Sequence, residues 1–199
     1  MASIAEVAAL DVLAEDGLVA FPTETVWGLA ARAESPTAIE RLRAFKGRES
    51  DKSFSILVDS PERAADVAAE WGEAARKLSA AHWPGPLTLV VKCGARFAPG
   101  VVAADGSIGL RCSAHPVAAV LVEGALDRGL GPVTATSLNR GGDSPARNRA
   151  EAGSVCGDEI PMVEGEAGGA AASTVVDARG SRPKVLREGA ISRDALEIR

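Results

Sequence analysis

The chain contains no tyrosine, only two histidines and three cysteines, and aromatic residues make up 4% of it. Each scarcity closes off a class of protein. Cys93, Cys112 and Cys156 are odd in number and never spaced as Cys-x-x-Cys, which argues against a disulfide scaffold or a zinc knuckle. His82 and His115 alone could serve a Ser-His triad or a metal site. Both read first as structural: His115 precedes Pro116 at a helix start, and His82 stands beside Trp83 at a tight turn. The motifs HExxH, GxSxG and GxGxxG are absent, so zinc hydrolysis, the nucleophile elbow and a Rossmann dinucleotide site have no support. The longest apolar run, Val117 to Val122, falls far short of the roughly 20 residues a membrane helix needs. No base precedes Arg32, so the amino end is expected to carry no signal or transit peptide, and the protein is expected to be cytoplasmic.

What remains is a chain of 199 residues, 46% hydrophobic, whose length suits one domain spanning residues 1–199. The net charge of −5 is uneven. Glu6, Asp11, Glu15, Asp16 and Glu24 supply all the charge of residues 1–31, whereas bases gather in 32–52, 140–149 and 179–193. Local basic segments in an acidic protein suit a pocket for a small anion better than a nucleic-acid coat, although each segment also reads as a solvated helix face.

Ser3 and Glu6 form a capping-box pattern that opens a helix to about Glu15, and Gly17 stops it before a strand at Leu18–Phe21. Ser35-Pro36 opens a second helix with Ile39, Leu42 and Phe45 on one face. Strands are predicted over 53–58, 87–91, 108–112, 132–136, 174–177 and 184–187. Helices are predicted over 60–81, 115–126, after Asn148 and near Asp194. The stretch 165–172 reads as a mobile connection. Helices and strands intersperse without a strict period, which implies an α/β (α+β) domain, a twisted mixed sheet flanked by helices.

Several segments carry chemistry. Phe21 to Leu29 leaves a strand through two hydroxyls and a carboxylate, Thr23, Glu24 and Thr25, at a strand end where ligands bind. Lys46-Gly47-Arg48, with Lys52 near by, lets cations approach one ligand. The run 47–53 resembles a P-loop but has Asp51 for its second glycine and follows a helix, so it is rejected as one. Ser137 and Asn139 precede Gly141-Gly142 and offer neutral hydrogen bonds beside backbone N–H groups. Arg111 is a cation in an apolar strand and needs an anionic partner. Ser173, Thr174 and Arg187 add hydroxyls and a cation at late strand ends.

In order, PTETVWGL, KGR, WPGPLTLVV, IGLR, TSLN with its Gly-Gly pair, STVVD and LREG resemble the YrdC/TsaC family over about residues 17–189. The resemblance implies the YrdC-like fold and L-threonylcarbamoyladenylate synthesis. In that reaction L-threonine, bicarbonate or CO2 and ATP give the adenylate and pyrophosphate, a nucleotidyl transfer that serves tRNA N6-threonylcarbamoyladenosine modification. It further implies Lys46, Arg48, Ser137 and Asn139 as the catalytic set, with Lys46 screening the phosphates or the carbamate. ATP would be held by Arg48, Lys52, Ser107, Ser137, Arg187 and the loop at Ser144 and Pro145. L-threonine would be held by Thr25, Leu57, Arg111, Ala135 and Ser173, with Arg111 on its carboxylate. Mg2+ would accompany ATP without a metal cage made by the protein. A downstream threonylcarbamoyl-transferase complex would receive the product, and weak tRNA binding is a further implied contact. The sequence departs from the family pattern at Trp27 for Tyr, Leu138 for Ala, Leu57 for a frequent His and Gly141 for Ser.

Two other readings compete. A non-catalytic module binding double-stranded RNA or tRNA fits poorly with a pI near 5.2 and so few aromatics for base stacking. A carbamoyl-transfer domain of a hydrogenase-maturation protein would need zinc-finger and acylphosphatase domains beside it, which 199 residues do not hold.

Overall fold

The computed structural model describes residues 4–47, 53–169, 171–196 and 198. In chain order the elements are α1 (Ile4–Ala14), β1 (Val19–Phe21), β2 (Gly28–Ala30), α2 (Pro36–Lys46), β3 (Ile56–Leu57), α3 (Pro61–Val67) and α4 (Glu73–His82). Then follow β4 (Leu87–Lys92), β5 (Ser107–Arg111), α5 (Pro116–Asp127), β6 (Thr136–Ser137), α6 (Arg149–Cys156), β7 (Thr174–Asp177), β8 (Lys184–Arg187) and a 3₁₀ turn at Asp194–Leu196. The α/β class is as expected, but the strands form two sheets. One has the order β1-β2-β6; the other is mixed, with the order β3-β5-β4-β7-β8.

The two sheets meet where predicted strands turn out shorter than their patterns. Within 132–136, Val133 bridges to Arg32 and Thr134 to Ile56, so that stretch straddles both sheets and only Thr136–Ser137 remains as β6. Residues 53–58 shrink to Ile56–Leu57 for the same reason. Phe54 donates to the Gly100 carbonyl and the Ser55 carbonyl accepts from Ala135, so neither joins the β5 ladder. The helix expected over 60–81 is two helices. Around Ala68 the chain pairs with the end of β4, Ala69 N–H donating to Lys92 O at 2.8 Å, before Gly72 restarts the helix. Strand β2 arises where a loop was expected, paired through Leu29 with Ala20 of β1.

Local signals hold elsewhere. The Ser35 hydroxyl accepts from Ala38 N–H, and Pro36 begins α2, which buries Ile39, Leu42 and Phe45. His115 caps α5, its Nδ1 accepting from Val117 N–H, so Nε2 carries the proton and donates to the Glu166 carbonyl at 3.0 Å. That bond and Gly168 N–H donating to Thr23 O at 2.9 Å tie residues 166 and 168, within the stretch expected to be mobile, to the start of α5 and to the β1–β2 loop. Ser3, the first member of the expected Ser3–Glu6 capping box, lies outside the described residues.

Side chains alternate across the five-stranded sheet. Ile56, Leu87, Leu89, Val91, Ile108, Leu110 and Val176 enter the larger core with α2 and α4. The opposite face presents Leu57, Thr88, Val90, Ser107, Gly109, Arg111 and Val175 to the three-stranded sheet. A functional cavity opens between these two layers.

Candidate active site

The cavity has a volume of about 380 Å³. Its floor is the polar face of the five-stranded sheet. Its other wall comes from Phe21, Gly28, Ala135, Thr136 and Ser137, with Pro145 at the side. Gly109 keeps the floor low, because a Cβ there would approach Ser55 Cβ at 3.0 Å and Thr88 Cγ2 at 3.3 Å. Among the described lining residues there is no carboxylate, thiol or imidazole.

Arg111, at the end of β5, is buried and organises one end. Its Nη2 donates to Thr25 Oγ1 at 2.9 Å and lies 2.9 Å from Glu24 Oε1. Among the described residues Glu24 Oε1 and Arg111 Nε are buried without an aligned hydrogen bond, so the ion pair is close but poorly matched. Ser113 donates to Glu24 Oε2. Burial favours the neutral carboxyl, but Arg111 and Ser113 outweigh it and hold Glu24 below its ordinary 4.5. Thr23 Oγ1 donates to Val26 O at 2.7 Å, which directs the Thr25 hydroxyl to Thr23. Thr25 is therefore a fully buried link behind Arg111 and does not line the cavity, whereas Thr23 does.

At the other end, Arg187 of edge strand β8 turns its guanidinium inward and donates through Nη2 to Ser173 O at 2.8 Å. Burial and the neighbouring Arg111 cation both depress the Arg187 guanidinium. Two cations repelling each other across a hydroxyl-lined cavity define a place for anions. Between them Ser173 Oγ lies 2.9 Å from Thr88 Oγ1.

Lys46 does not reach this cavity. It is fully buried, and its Nζ donates to Ser137 O at 2.7 Å and Asn139 Oδ1 at 2.5 Å. Asn139 in turn accepts from Ser137 Oγ and donates to the Arg140 and Asp143 carbonyls, both at 2.9 Å. The Arg140 guanidinium stacks 4.3 Å above the Phe45 ring, and Gly141 packs so closely that a Cβ would stand 2.4 Å from Lys46 O. The end of α2 and the loop after β6 are thus one locked unit. Lys46 and Asn139 shape that loop and, of the pair Ser137 and Asn139, only Ser137 lines the cavity.

Of the expected site residues, Leu57, Ser107, Arg111, Ala135, Ser137, Pro145, Ser173 and Arg187 line the cavity together. Ser144 is exposed and outside the lining, and Arg48 and Lys52 lie outside the described residues. The Ser107 hydroxyl donates to Asp105 Oδ1 at 2.6 Å, leaving its lone pairs for other partners. Leu57 offers an apolar wall where the family pattern would place a polar ring. Leu138 points away from the cavity into the core with Trp27, so its bulk does not intrude between Ser137 and Asn139. Trp27 is fully buried against the cavity, and its Nε1 has no hydrogen-bond partner among the described residues. Sequence reasoning missed Ser53, Ser55, Thr88 and Gly109. Alternation along strands 53–58, 87–91 and 108–112 would have put the last three on one face.

A hydroxyl-lined cleft with two guanidinium groups, and with no carboxylate, imidazole or thiol among its described lining residues to activate a hydroxyl, defines a protein whose site gathers small anionic ligands. Comparison with known proteins narrows this. The Sua5/YciO/YrdC family model, described as telomere recombination, matches residues 11–189, and the chain belongs to that family. A Xanthomonas campestris threonylcarbamoyl-AMP synthase is 35% identical over 182 residues, 86% of this chain and 92% of that protein. A threonylcarbamoyl-AMP synthase of Bacillus subtilis is 34% identical over 98% of this chain, which spans 55% of the Bacillus protein. The crystal structure of P. abyssi Sua5 complexed with L-threonine superposes with a TM-score of 0.85 at 31% identity, covering 94% of this chain and 54% of that one.

Proposed function

We propose that this protein is a threonylcarbamoyl-AMP synthase, joining L-threonine, CO2 from bicarbonate and ATP into threonylcarbamoyl-AMP and releasing pyrophosphate, a nucleotidyl transfer. The observation that carries the reading is the pair of cations, Arg111 and Arg187, facing one hydroxyl-lined cavity that holds no carboxylate, imidazole or thiol among its described lining residues to activate a hydroxyl as a nucleophile. Such a site works by positioning and charge screening, which is what this chemistry requires. The threonine nitrogen attacks CO2, forming the C–N bond and giving up one proton. The resulting carbamate oxygen attacks the α-phosphorus, and the bond to pyrophosphate breaks.

In this reading Arg111 takes the threonine carboxylate, exchanging its poorly aligned pairing with Glu24 for two matched hydrogen bonds. Thr25 holds the Arg111 guanidinium in place. Leu57 and Ala135 are apolar walls beside the amino acid, and Ser173 is a further candidate contact to it where its amine meets the one-carbon reactant. Arg187, Ser107 and Ser137 contact the nucleotide, with Pro145 flanking it and Arg48, Lys52 and Ser144 as further candidates. Lys46 and Asn139 set the Ser137 loop rather than touching phosphate. Mg2+ would travel on the triphosphate, because among the described residues no group of three His, Cys, Asp or Glu could hold a metal ion. Product transfer to a threonylcarbamoyl-transferase complex, a weak tRNA contact and a cytoplasmic setting belong to the same proposal. Among the described residues no helix is long and apolar enough to cross a membrane.

The test is incubation with ATP, L-threonine and bicarbonate, reading pyrophosphate and the adenylate by mass. Release should require all three substrates. Equal pyrophosphate release with ATP alone would refute the reading, and salt-dependent RNA binding without any release would favour the RNA-binding module.

A further inference from the structure

The threonine and nucleotide anchors leave the one-carbon reactant unassigned. Thr88 of β4 and Ser173, just before β7, occupy the cavity floor on the two strands that separate Arg111 on β5 from Arg187 on β8. Leu89 pairs with Leu110, so the next positions outward on that antiparallel pair are Thr88 and Arg111. On its other side Thr88 pairs with Val175, which pairs with Arg187. The row therefore runs Arg111, Thr88, Val175, Arg187 across the sheet, with Ser173 bonded to Thr88.

The hydrogen-bond inventory of this pair is incomplete in an informative way. Thr88 Oγ1 and Ser173 Oγ share one bond at 2.9 Å, and Ser173 Oγ also accepts from Arg187 Nη2 at 3.3 Å. Two hydroxyls carry two hydrogens. One lies between them, donated by either oxygen; the other, which is Thr88's when Ser173 is the donor, has no acceptor among the described residues. Both side chains are nearly buried, at 5% and 6% exposure, so that second O–H has only the cavity to serve. A donor flanked by two cations suits a small oxygen-bearing group that gains negative charge.

We propose that the Thr88–Ser173 hydroxyl pair is the subsite for CO2 and the carbamate it becomes, with Thr88 as a residue touching the reacting carbon's oxygen. The inference rests on the synthase reading. The carbon must bond first to the amine of an amino acid anchored at Arg111, and its oxygen must then reach the α-phosphorus of a nucleotide anchored at Arg187. It therefore lies between the two anchors, above Thr88 and Ser173. As the amine lone pair forms the C–N bond, a C=O electron pair moves onto oxygen. The free O–H donates to that oxygen while the amine proton leaves to solvent.

Thr88→Val keeps the β-branched shape and removes the hydroxyl; Thr88→Ser keeps the hydroxyl. Initial rates of pyrophosphate release are measured while bicarbonate, threonine and ATP are varied in turn. In Thr88→Val the KM for bicarbonate should rise about tenfold, the loss expected for one hydrogen bond, with the threonine and ATP KM values within about twofold of the parent. Thr88→Ser should restore the bicarbonate KM. If Thr88→Val melts early, Thr88→Ala assayed below its own melting temperature takes its place with the same expectation. An unchanged bicarbonate KM overturns the proposal, and so does a rise confined to the threonine KM, which would make the pair a reader of the amino acid. Failure of the parent protein to release pyrophosphate with all three substrates would instead refute the synthase reading itself.

Discussion

Lys46→Met separates a lysine that screens phosphates from one that builds the site. As a helix-end cation interacting with the α2 dipole, Lys46 would contribute about 0.3–1 kcal/mol. As a lysine touching only substrate, it would leave the melting temperature of the free protein unchanged. The structure points elsewhere, because Lys46 is fully buried and its Nζ bonds Ser137 O at 2.7 Å and Asn139 Oδ1 at 2.5 Å. Hydrogen bonds from a charged donor contribute about 1.5–3 kcal/mol each. Methionine recovers part of that by removing a desolvated ammonium while filling most of the stem's volume. The net loss should be about 2–4 kcal/mol, which in a protein of this size lowers the melting temperature by about 4–16 °C. Loosening the Ser137 loop should also slow adenylate formation by on the order of 10²-fold, since misplacement of a positioning group by an ångström has that effect. Circular dichroism melts and denaturant titrations with an unchanged m-value would measure the first, and single-turnover formation of the adenylate the second. A Lys46→Met protein that melts within about 2 °C of the parent would refute the positioning role and return Lys46 to the phosphates.

Arg111→Ala should weaken L-threonine binding by about 2–5 kcal/mol by calorimetry while leaving nucleotide binding close to the parent value; unchanged threonine binding in the folded variant would remove Arg111 from the amino-acid site. Glu24→Gln should lower stability at pH 7 by about 1–3 kcal/mol, because Arg111 loses its anionic partner. The Glu24 carboxyl is held below 4.5 in the folded protein, so its contribution is complete above that value and is lost as pH falls through the depressed pKa. The stability gap between parent and variant should accordingly close in acid, and a gap that widened there would contradict the ion pair. Gly141→Ala, whose Cβ would sit 2.4 Å from the Lys46 carbonyl, should cost about 1–3 kcal/mol in a thermal melt, and a neutral effect would show that the α2–loop junction yields.

Caps and strand ends were legible in the sequence because their causes are local. Ser35-Pro36, His115-Pro116 and Asn148 each begin a helix where side-chain chemistry places one. Lys184–Arg187 and Thr174–Asp177 fall at their expected bounds. What escaped was set by tertiary pairing. Residues 132–135 have a strand's composition yet divide their hydrogen bonds between two sheets, and the break at Ala68 exists because the end of β4 claims that backbone. At the site, the residue types singled out fall on segments that line the cavity or pack against it, but depth was invisible. Nothing in the sequence distinguishes Lys46, sealed beneath the Ser137 loop, from Arg187, turned into the cavity. Thr88 was passed over because a threonine inside an apolar strand reads as sheet former, and only its bond to Ser173, 85 residues away, gives it another use.

The central claim is that one cavity between the two sheets seats an amino acid at Arg111 and a nucleotide at Arg187. A crystal structure of the protein with L-threonine and an unreactive ATP analogue addresses it directly. The expected density has the threonine carboxylate on Arg111 with Glu24 turned away, the triphosphate near Arg187 and Ser137, and the amine facing the α-phosphorus across Thr88 and Ser173. Threonine bound with its carboxylate away from Arg111, or a nucleotide seated outside the cavity, would contradict it.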